Sequence, residues 1–173
     1  MNPFKIFDLP VDFQVDQATL STRYLALQKS LHPDNFTTHS AQEQRLAMQR
    51  SAEVNDALQI LKDPILRADS IIAIHTGEQQ NIEEKSTNDM AFLMQQMQWR
   101  EQLEEIENTT KDSDQLMQFT ADIEATKKTL LDELSSALSA NQWQQAKAIN
   151  DKLRFIKKLL VEVERVEELL FDF

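Results

Sequence analysis

A single glycine, Gly77, in 173 residues is the strongest constraint on what this chain can fold into. β-Hairpins reverse through backbone with positive φ, where glycine is the default residue, so one glycine cannot support a hairpin-rich sheet protein. The remaining composition is poor in aromatics and rich in Leu, Gln, Glu, Ala and Lys, which favour helices. The expected class is all-α.

Prolines and capping residues divide the sequence into helices. Phe4, Phe7 and Leu9 suggest a short first helix or turn, stopped by Pro10. Asp16 suits the N-cap of a helix from Gln17, along which Leu20, Tyr24, Leu27 and Leu31 share one face. Pro33 lacks an N–H and biases His32 away from the α region, so this helix should end near Leu31. Ser40 and Glu43 form a capping-box pattern before the next helix, which Leu46, Arg50, Val54, Ala57, Leu58 and Leu61 carry to about Lys62. Asp63-Pro64 reads as the cap and first residue of another helix, holding Ile65, Leu66, Ala68, Ile71 and Ile72. That helix should stop at His75-Thr76-Gly77, where the glycine fits the position just past a helix end.

Residues 76–86 are polar and charged without periodicity and read as a linker between a unit at 1–75 and a second at 87–173. Charge changes across it: residues 1–75 carry a formal net of -2 and residues 76–173 a net of -9. Three helical stretches follow, roughly Asn88–Asn108, Ser113–Ser139 and Asn141–Leu170, parted by polar breaks at Thr109-Thr110 and Ala140-Asn141. Short connections imply antiparallel neighbours, hence a three-helix bundle.

The same sequence excludes several kinds of chemistry. A formal net charge of -11 is a poor match for nucleic acid, whose affinity comes from Lys and Arg. With no Cys, the chain has no disulfide, no thiolate chemistry and no Cys-based metal ligation. No apolar run is long enough to cross a bilayer, and Met1-Asn2-Pro3-Phe4-Lys5 lacks the basic start and apolar core of a signal peptide. A cytoplasmic protein without membrane or nucleic-acid partners is therefore expected. None of His32, His39 or His75 has Glu three positions before it, and one glycine forbids a Gly-rich phosphate loop. Ser, His and Asp occur, but nothing marks a nucleophile, so no catalytic residue, metal or cofactor is expected.

Two features instead suit protein recognition. The first is the corner His32-Pro33-Asp34, which places an imidazole and a carboxylate between two helices, outside any obvious pocket. A plain helix end followed by a turn would use the same residues. The second is the Asn88–Asn108 helix, which has two apolar faces. At 100° per residue, Phe92, Trp99, Leu103 and Ile106 make one core stripe, and Met90, Leu93, Met94 and Met97 fall opposite it. Glu101, Glu104 and Glu105 continue that opposite side. A Met-rich apolar surface running into acid suits protein binding, because Met adapts to irregular partners. Burial of the helix on both sides, or packing of the first unit on it, would give the same pattern. In the last helix, Ile149, Leu153, Ile156, Leu160 and Val163 make the core stripe, with Phe155 off it, either flanking the core or joining the exposed patch.

The run from Tyr24 to Phe36, with Val54-Asn55-Asp56-Ala57-Leu58 and Leu61-Lys62-Asp63-Pro64-Ile65-Leu66-Arg67, resembles J-domains over about Phe4 to His75. J-domains stimulate ATP hydrolysis by chaperones of the DnaK class. The resemblance implies that His32, Pro33 and Asp34 contact the chaperone, and that the helix before them offers it a basic face. Arg23 and Lys29 are the only basic residues there, and either could equally be a solvated surface charge. Asn35 departs from the usual Lys, which implies weaker electrostatics. Ala91-Phe92-Leu93-Met94, Arg100-Glu101-Gln102-Leu103-Glu104-Glu105-Ile106, Lys152-Leu153-Arg154-Phe155 and the ending Leu169-Leu170-Phe171-Asp172-Phe173 extend the likeness to one family, the HscB J-type co-chaperones of iron–sulfur cluster assembly. That family implies two partners, the scaffold protein IscU and the ATPase chaperone HscA. By match it assigns Leu93, Met94, Met97 and Phe155 to scaffold binding, with Glu101 and Glu105 at the rim. Gln98 departs from a position usually acidic, and Met97 stands where Leu is typical. A J-protein serving another client, and a helical adaptor whose tripeptide is an ordinary turn, are the alternatives.

Overall fold

The structure, a computed structural model, describes residues 1–77 and 89–171. It is all-α, with no strand among the described residues. The chain divides into two compact units, Met1–Gln80 and Asn81–Phe173.

The first unit holds α1 (Pro3–Ile6), α2 (Gln17–Ser30), α3 (Ala41–Lys62) and α4 (Pro64–Thr76). Each start is capped as the side-chain chemistry dictates. Asn2 Oδ1 accepts from the N–H groups of Phe4 and Lys5, and Asp16 Oδ1 from those of Ala18 and Thr19. Asp63 Oδ1 accepts from Ile65 and Leu66, with Pro64 at the first helical position. Half of the capping box forms: Ser40 Oγ accepts from Glu43 N–H at 3.2 Å, while the Glu43 carboxylate lies 3.9 Å from His39 Nε2. Gly77 ends α4 with φ of 75°, its N–H donating to Ala73 O. The expected linker at 76–86 therefore starts too early, because Thr76 is still helical; residues 78–86 of it lie outside the described residues.

Phe4, Phe7, Phe13, Leu20, Val54, Ala57, Leu58, Leu61, Ala68, Ile71 and Ile72 form this unit's core. Leu46, expected on the core face of α3, is exposed, and Ala47 is buried in its place. Besides apolar packing, a polar network fixes α2 against α3. The Tyr24 hydroxyl and Gln28 Nε2 both donate to Asn55 Oδ1, at 2.8 and 2.9 Å, and the Ser51 hydroxyl donates to Gln28 Oε1 at 2.8 Å.

The second unit holds α5 (Met90–Glu105), α6 (Ser113–Ser139) and α7 (Trp143–Phe171). The expected start at Asn88 lies outside the described residues; Asp89 caps α5 by accepting from Phe92 N–H. The break expected at Thr109-Thr110 is displaced. The helix widens into a π-turn over Ile106–Thr110 and is stopped by Lys111, in the left-handed conformation with φ of 48°. The α6–α7 turn passes through Asn141 at φ of 58°, so α7 begins at Trp143 rather than at Asn141.

Leu116, Phe119, Ile123, Leu130, Leu134 and Leu138 of α6 pack in this core with Ala146, Ile149, Leu153, Ile156, Val163 and Val166 of α7. Leu159 is buried where Leu160 was expected; Leu160 is half-buried. The reason is a second neighbour: the flank of α7 carrying Phe155 and Leu159 faces α5.

Candidate functional site

The corner between α2 and α3 is a short 3₁₀ turn, Pro33–Phe36. His32 caps it. Asp34 N–H donates to His32 Nδ1 at 3.2 Å, so the neutral imidazole carries its proton on Nε2. His32 and Asp34 side chains are 60% and 87% exposed, with Nδ1 3.5 Å from Asp34 Oδ2. Pro33 is exposed beside them. An exposed group held in one geometry by its own backbone is what a recognition corner needs.

Asn35 and Gln44 hold that corner in place. Asn35 Nδ2 donates to Lys29 O at 2.8 Å and to Ser30 O at 3.3 Å, satisfying carbonyls at the α2 C-terminus that have no partner within the helix. Gln44 Nε2 donates to Phe36 O at 3.0 Å and to His39 O at 3.3 Å, joining the far side of the turn to α3. By sequence Asn35 is only a lost charge; its contact runs back five and six residues through a chain reversal that spacing does not reveal.

The two basic residues expected on α2 differ. Lys29 is exposed in the last turn of the helix. One terminal nitrogen of Arg23 donates to Phe7 O at 2.8 Å and also to Asp8 O, where Asp8 has φ of 52°. Arg23 thus braces the α1–α2 connection. In α4, Arg67 does similar work: its guanidinium donates to Leu61 O and lies 4.9 Å from the Phe13 ring centroid, and burial lowers its pKa.

In the second unit, α5 separates its two faces cleanly. Phe92, Trp99 and Leu103, with Ile106 in the turn after them, are buried. Met90, Met94 and Met97 are 69%, 60% and 62% exposed, Leu93 is half-buried, and Glu101, Glu104 and Glu105 are exposed. Burial of α5 on both sides is therefore not what this unit does. Met90 belongs to the same exposed face as Met94, one turn before it, a relation already readable from the i, i+4 spacing.

Phe155 does not join that face. It is 7% exposed, edge-on to Phe92 at 5.8 Å and stacked on Trp99 at 6.2 Å with 12° between the planes. The Arg100 guanidinium lies 5.3 Å from its centroid. Of the two placements open to Phe155, it takes the one flanking the core, and the exposed face contains Leu93, Met94 and Met97 without it. The ring does form part of the wall of a groove of about 560 Å³ between α5 and α7, lined also by Arg100, Leu103, Glu104 and Leu159. Leu93, Met97, Arg100 and Glu104 follow one another at i, i+4, i+7 and i+11, so the groove borders the methionine face along one ridge of α5.

Both ends of α5 are tied to α7. Lys152 Nζ lies 3.0 Å from Asp89 Oδ2 and 5.5 Å from the Phe92 ring centroid. The Phe92 N–H, then Lys152, hold the Asp89 carboxyl below the usual carboxylate range. At the other end Arg165 donates to both Glu107 oxygens, at 2.8 and 3.0 Å, and to Glu162 at 3.0 Å. Those bonds, ahead of any other influence, lower the Glu107 pKa and raise that of Arg165. Among the described residues no cluster of His, Asp and Glu could hold a metal ion, and no helix is long and apolar enough to cross a membrane.

Comparison with known proteins points to one family. The model of the HSCB C-terminal oligomerisation domain matches residues 88–164. A co-chaperone protein HscB homolog of Pasteurella multocida is 83% identical over the whole length of both chains. The structure of chaperone HscB from Vibrio cholerae superposes with a TM-score of 0.87 at 38% identity, covering 99% of this chain and 100% of that one. The crystal structure of human co-chaperone protein HscB gives 0.85 at 28% identity, covering 95% and 81%.

Proposed function

The chain belongs to the HscB co-chaperone family, and from that premise we propose that it binds the iron–sulfur scaffold IscU on the α5 face and delivers it to the ATPase chaperone HscA. There it stimulates ATP hydrolysis through His32, Pro33 and Asp34, in support of iron–sulfur protein maturation in the cytoplasm. The observation that carries this reading is the separation of faces on α5: three exposed methionines over a core stripe that is fully buried. The relatives are named as co-chaperones rather than as enzymes. On this reading the phosphate bond breaks on the partner, and this chain supplies contacts alone.

The proposed work is divided between the units. Leu93, Met94 and Met97 give the scaffold an apolar, deformable contact, and Glu101 and Glu105 at its edge select a basic surface. Phe155 serves the same site from within the groove, as the support of α5. On the other unit, His32 and Asp34 meet the chaperone as a fixed pair, Lys29 steers the approach, and Arg23 holds the connection from which α2 starts. Two modest affinities on one chain raise the effective concentration of the second encounter once the first is made.

The test combines a titration of IscU with a measurement of HscA ATPase rate in the presence of IscU. Binding to IscU and loss of stimulation in His32→Gln, with IscU affinity intact, are the expected results. Equal stimulation by native protein and His32→Gln would remove the assignment of the corner. Stimulation without IscU binding would mark a J-protein for another client. An absence of both would leave a helical adaptor.

A further inference from the structure

All six methionines of this chain are exposed by 60% or more, and no methionine is in either core. That distribution is unusual for a residue whose flexible thioether ordinarily fills gaps in apolar interiors. Three of the six, Met90, Met94 and Met97, lie on one face of one helix. The other three are scattered, at Met1, on α3 (Met48) and on α6 (Met117). There is no cysteine, so methionine sulfur is the only sulfur in the molecule and the first target for a peroxide.

We infer that Met90, Met94 and Met97 form an oxidation-sensitive site, at which hydrogen peroxide converts the apolar face of α5 into a polar one and so releases the client. This rests on the reading of that face as the scaffold-binding surface. In the reaction each thioether sulfur attacks one peroxide oxygen. An S–O bond forms, the O–O bond breaks, and the second oxygen leaves as water after proton transfer. Sulfur is oxidised by two electrons and the peroxide is reduced by two.

The chemistry explains why the effect falls on binding rather than on folding. The sulfoxide is polar and accepts hydrogen bonds, so burying it against an apolar partner costs what burying the thioether gained. In the free chain these side chains already stand in water, so oxidation leaves the buried stripe of Phe92, Trp99 and Leu103 intact. The modification is reversible, because sulfoxide reductases, drawing two electrons from an external dithiol, return each of the two sulfoxide epimers to the thioether and release the oxygen as water. Client loading would thus weaken under peroxide and recover afterwards without resynthesis of the protein.

The experiment oxidises this chain alone with hydrogen peroxide and removes the peroxide. It then measures IscU affinity by titration, sulfoxide occupancy by peptide mass spectrometry, and helicity by circular dichroism. The expected result is a fall in affinity on the order of tenfold or more, since losing the burial of one thioether alone is of that size. Helicity should be unchanged, and a mixture of the two sulfoxide reductases with dithiothreitol as reductant should restore binding. The variant Met48→Leu/Met117→Leu, which removes two of the scattered methionines, should bind normally and lose affinity on oxidation as the native chain does. Unchanged affinity with Met94 and Met97 fully oxidised would overturn the inference, as would insensitivity of that variant or a loss of helicity parallel to the loss of binding. An unoxidised chain that does not bind IscU would instead refute the binding surface itself, and the inference with it.

Discussion

Phe155 is the residue at which packing and binding are most easily confused, and Phe155→Ala separates them. The ring is 7% exposed and touches two other aromatic rings, Phe92 edge-on and Trp99 face-on, with Arg100 beside it. Truncating a buried Phe to Ala costs about 3–5 kcal/mol, through lost transfer energy and the cavity left behind. Loss of two favourable ring geometries, each worth about 0.5–1.5 kcal/mol, places this site toward the upper end. That is a large part of the ~5–15 kcal/mol that holds a domain together. The assay is urea unfolding followed by Trp99 emission in a Trp143→Phe background, so that the signal comes from a ring stacked on Phe155 itself. The midpoint should fall steeply, and Phe155→Leu, which keeps most of the volume, should recover most of the loss. IscU affinity should follow stability across the two variants. If Phe155→Ala unfolds at the native midpoint while affinity drops tenfold or more, the side chain is a contact and the bracing argument is wrong.

Two further outcomes follow from the ties at the corner and at the end of α5. Asn35→Ala removes the donor to the Lys29 and Ser30 carbonyls; the expected cost is about 1 kcal/mol or less. Its larger effect should be faster amide exchange through the Pro33–Phe36 turn and weaker maximal ATPase stimulation; native exchange there would show that the cap does not order the corner. Glu107 has its folded pKa held down by Arg165, so the unfolded chain binds that proton more readily. Its contribution is complete above the ordinary carboxylate pKa and fades as pH falls through the lower folded value. Glu107→Gln should therefore destabilise the second unit at neutral pH and flatten its acid-unfolding limb, and an acid limb as steep as the native one would contradict this.

What could be read from sequence was whatever one segment decides for itself. The caps at Asp16, Ser40 and Asp63, the proline stop after Leu31 and the left-handed Gly77 are local rules, and the structure follows each of them. The separation of Phe92, Trp99 and Leu103 from Met94 and Met97 is likewise a property of one helix. The misreadings share a different cause. Leu160 gave way to Leu159 because α7 packs on two neighbours and its buried stripe is wider than one period suggests, and the same second neighbour takes Phe155, left open between the core flank and the exposed patch, into the core flank. Asn35 acquired a role only because the chain folds back on α2, and Arg23 only because the α1–α2 connection passes its guanidinium. Each needed a neighbour whose position no single helix encodes.

On the proposed reading of the methionine face as a client contact, the same geometry lets a soft surface be specific. A methionine side chain reshapes itself to its partner at the cost of its own rotamer freedom, so a surface built from three of them would be loose if its backbone also moved. Here the backbone is fixed at three places. Asp89 with Lys152 ties the start of α5 to α7, the stack of Phe92, Trp99 and Phe155 holds its middle, and Glu107 with Arg165 holds the turn that ends it. The adaptable atoms are thereby confined to the outermost layer, and ordering cost on binding is limited to side chains. It follows that loosening either end tie should weaken client binding even though neither pair belongs to the methionine face. Substitutions on that face should instead change affinity without changing the unfolding midpoint.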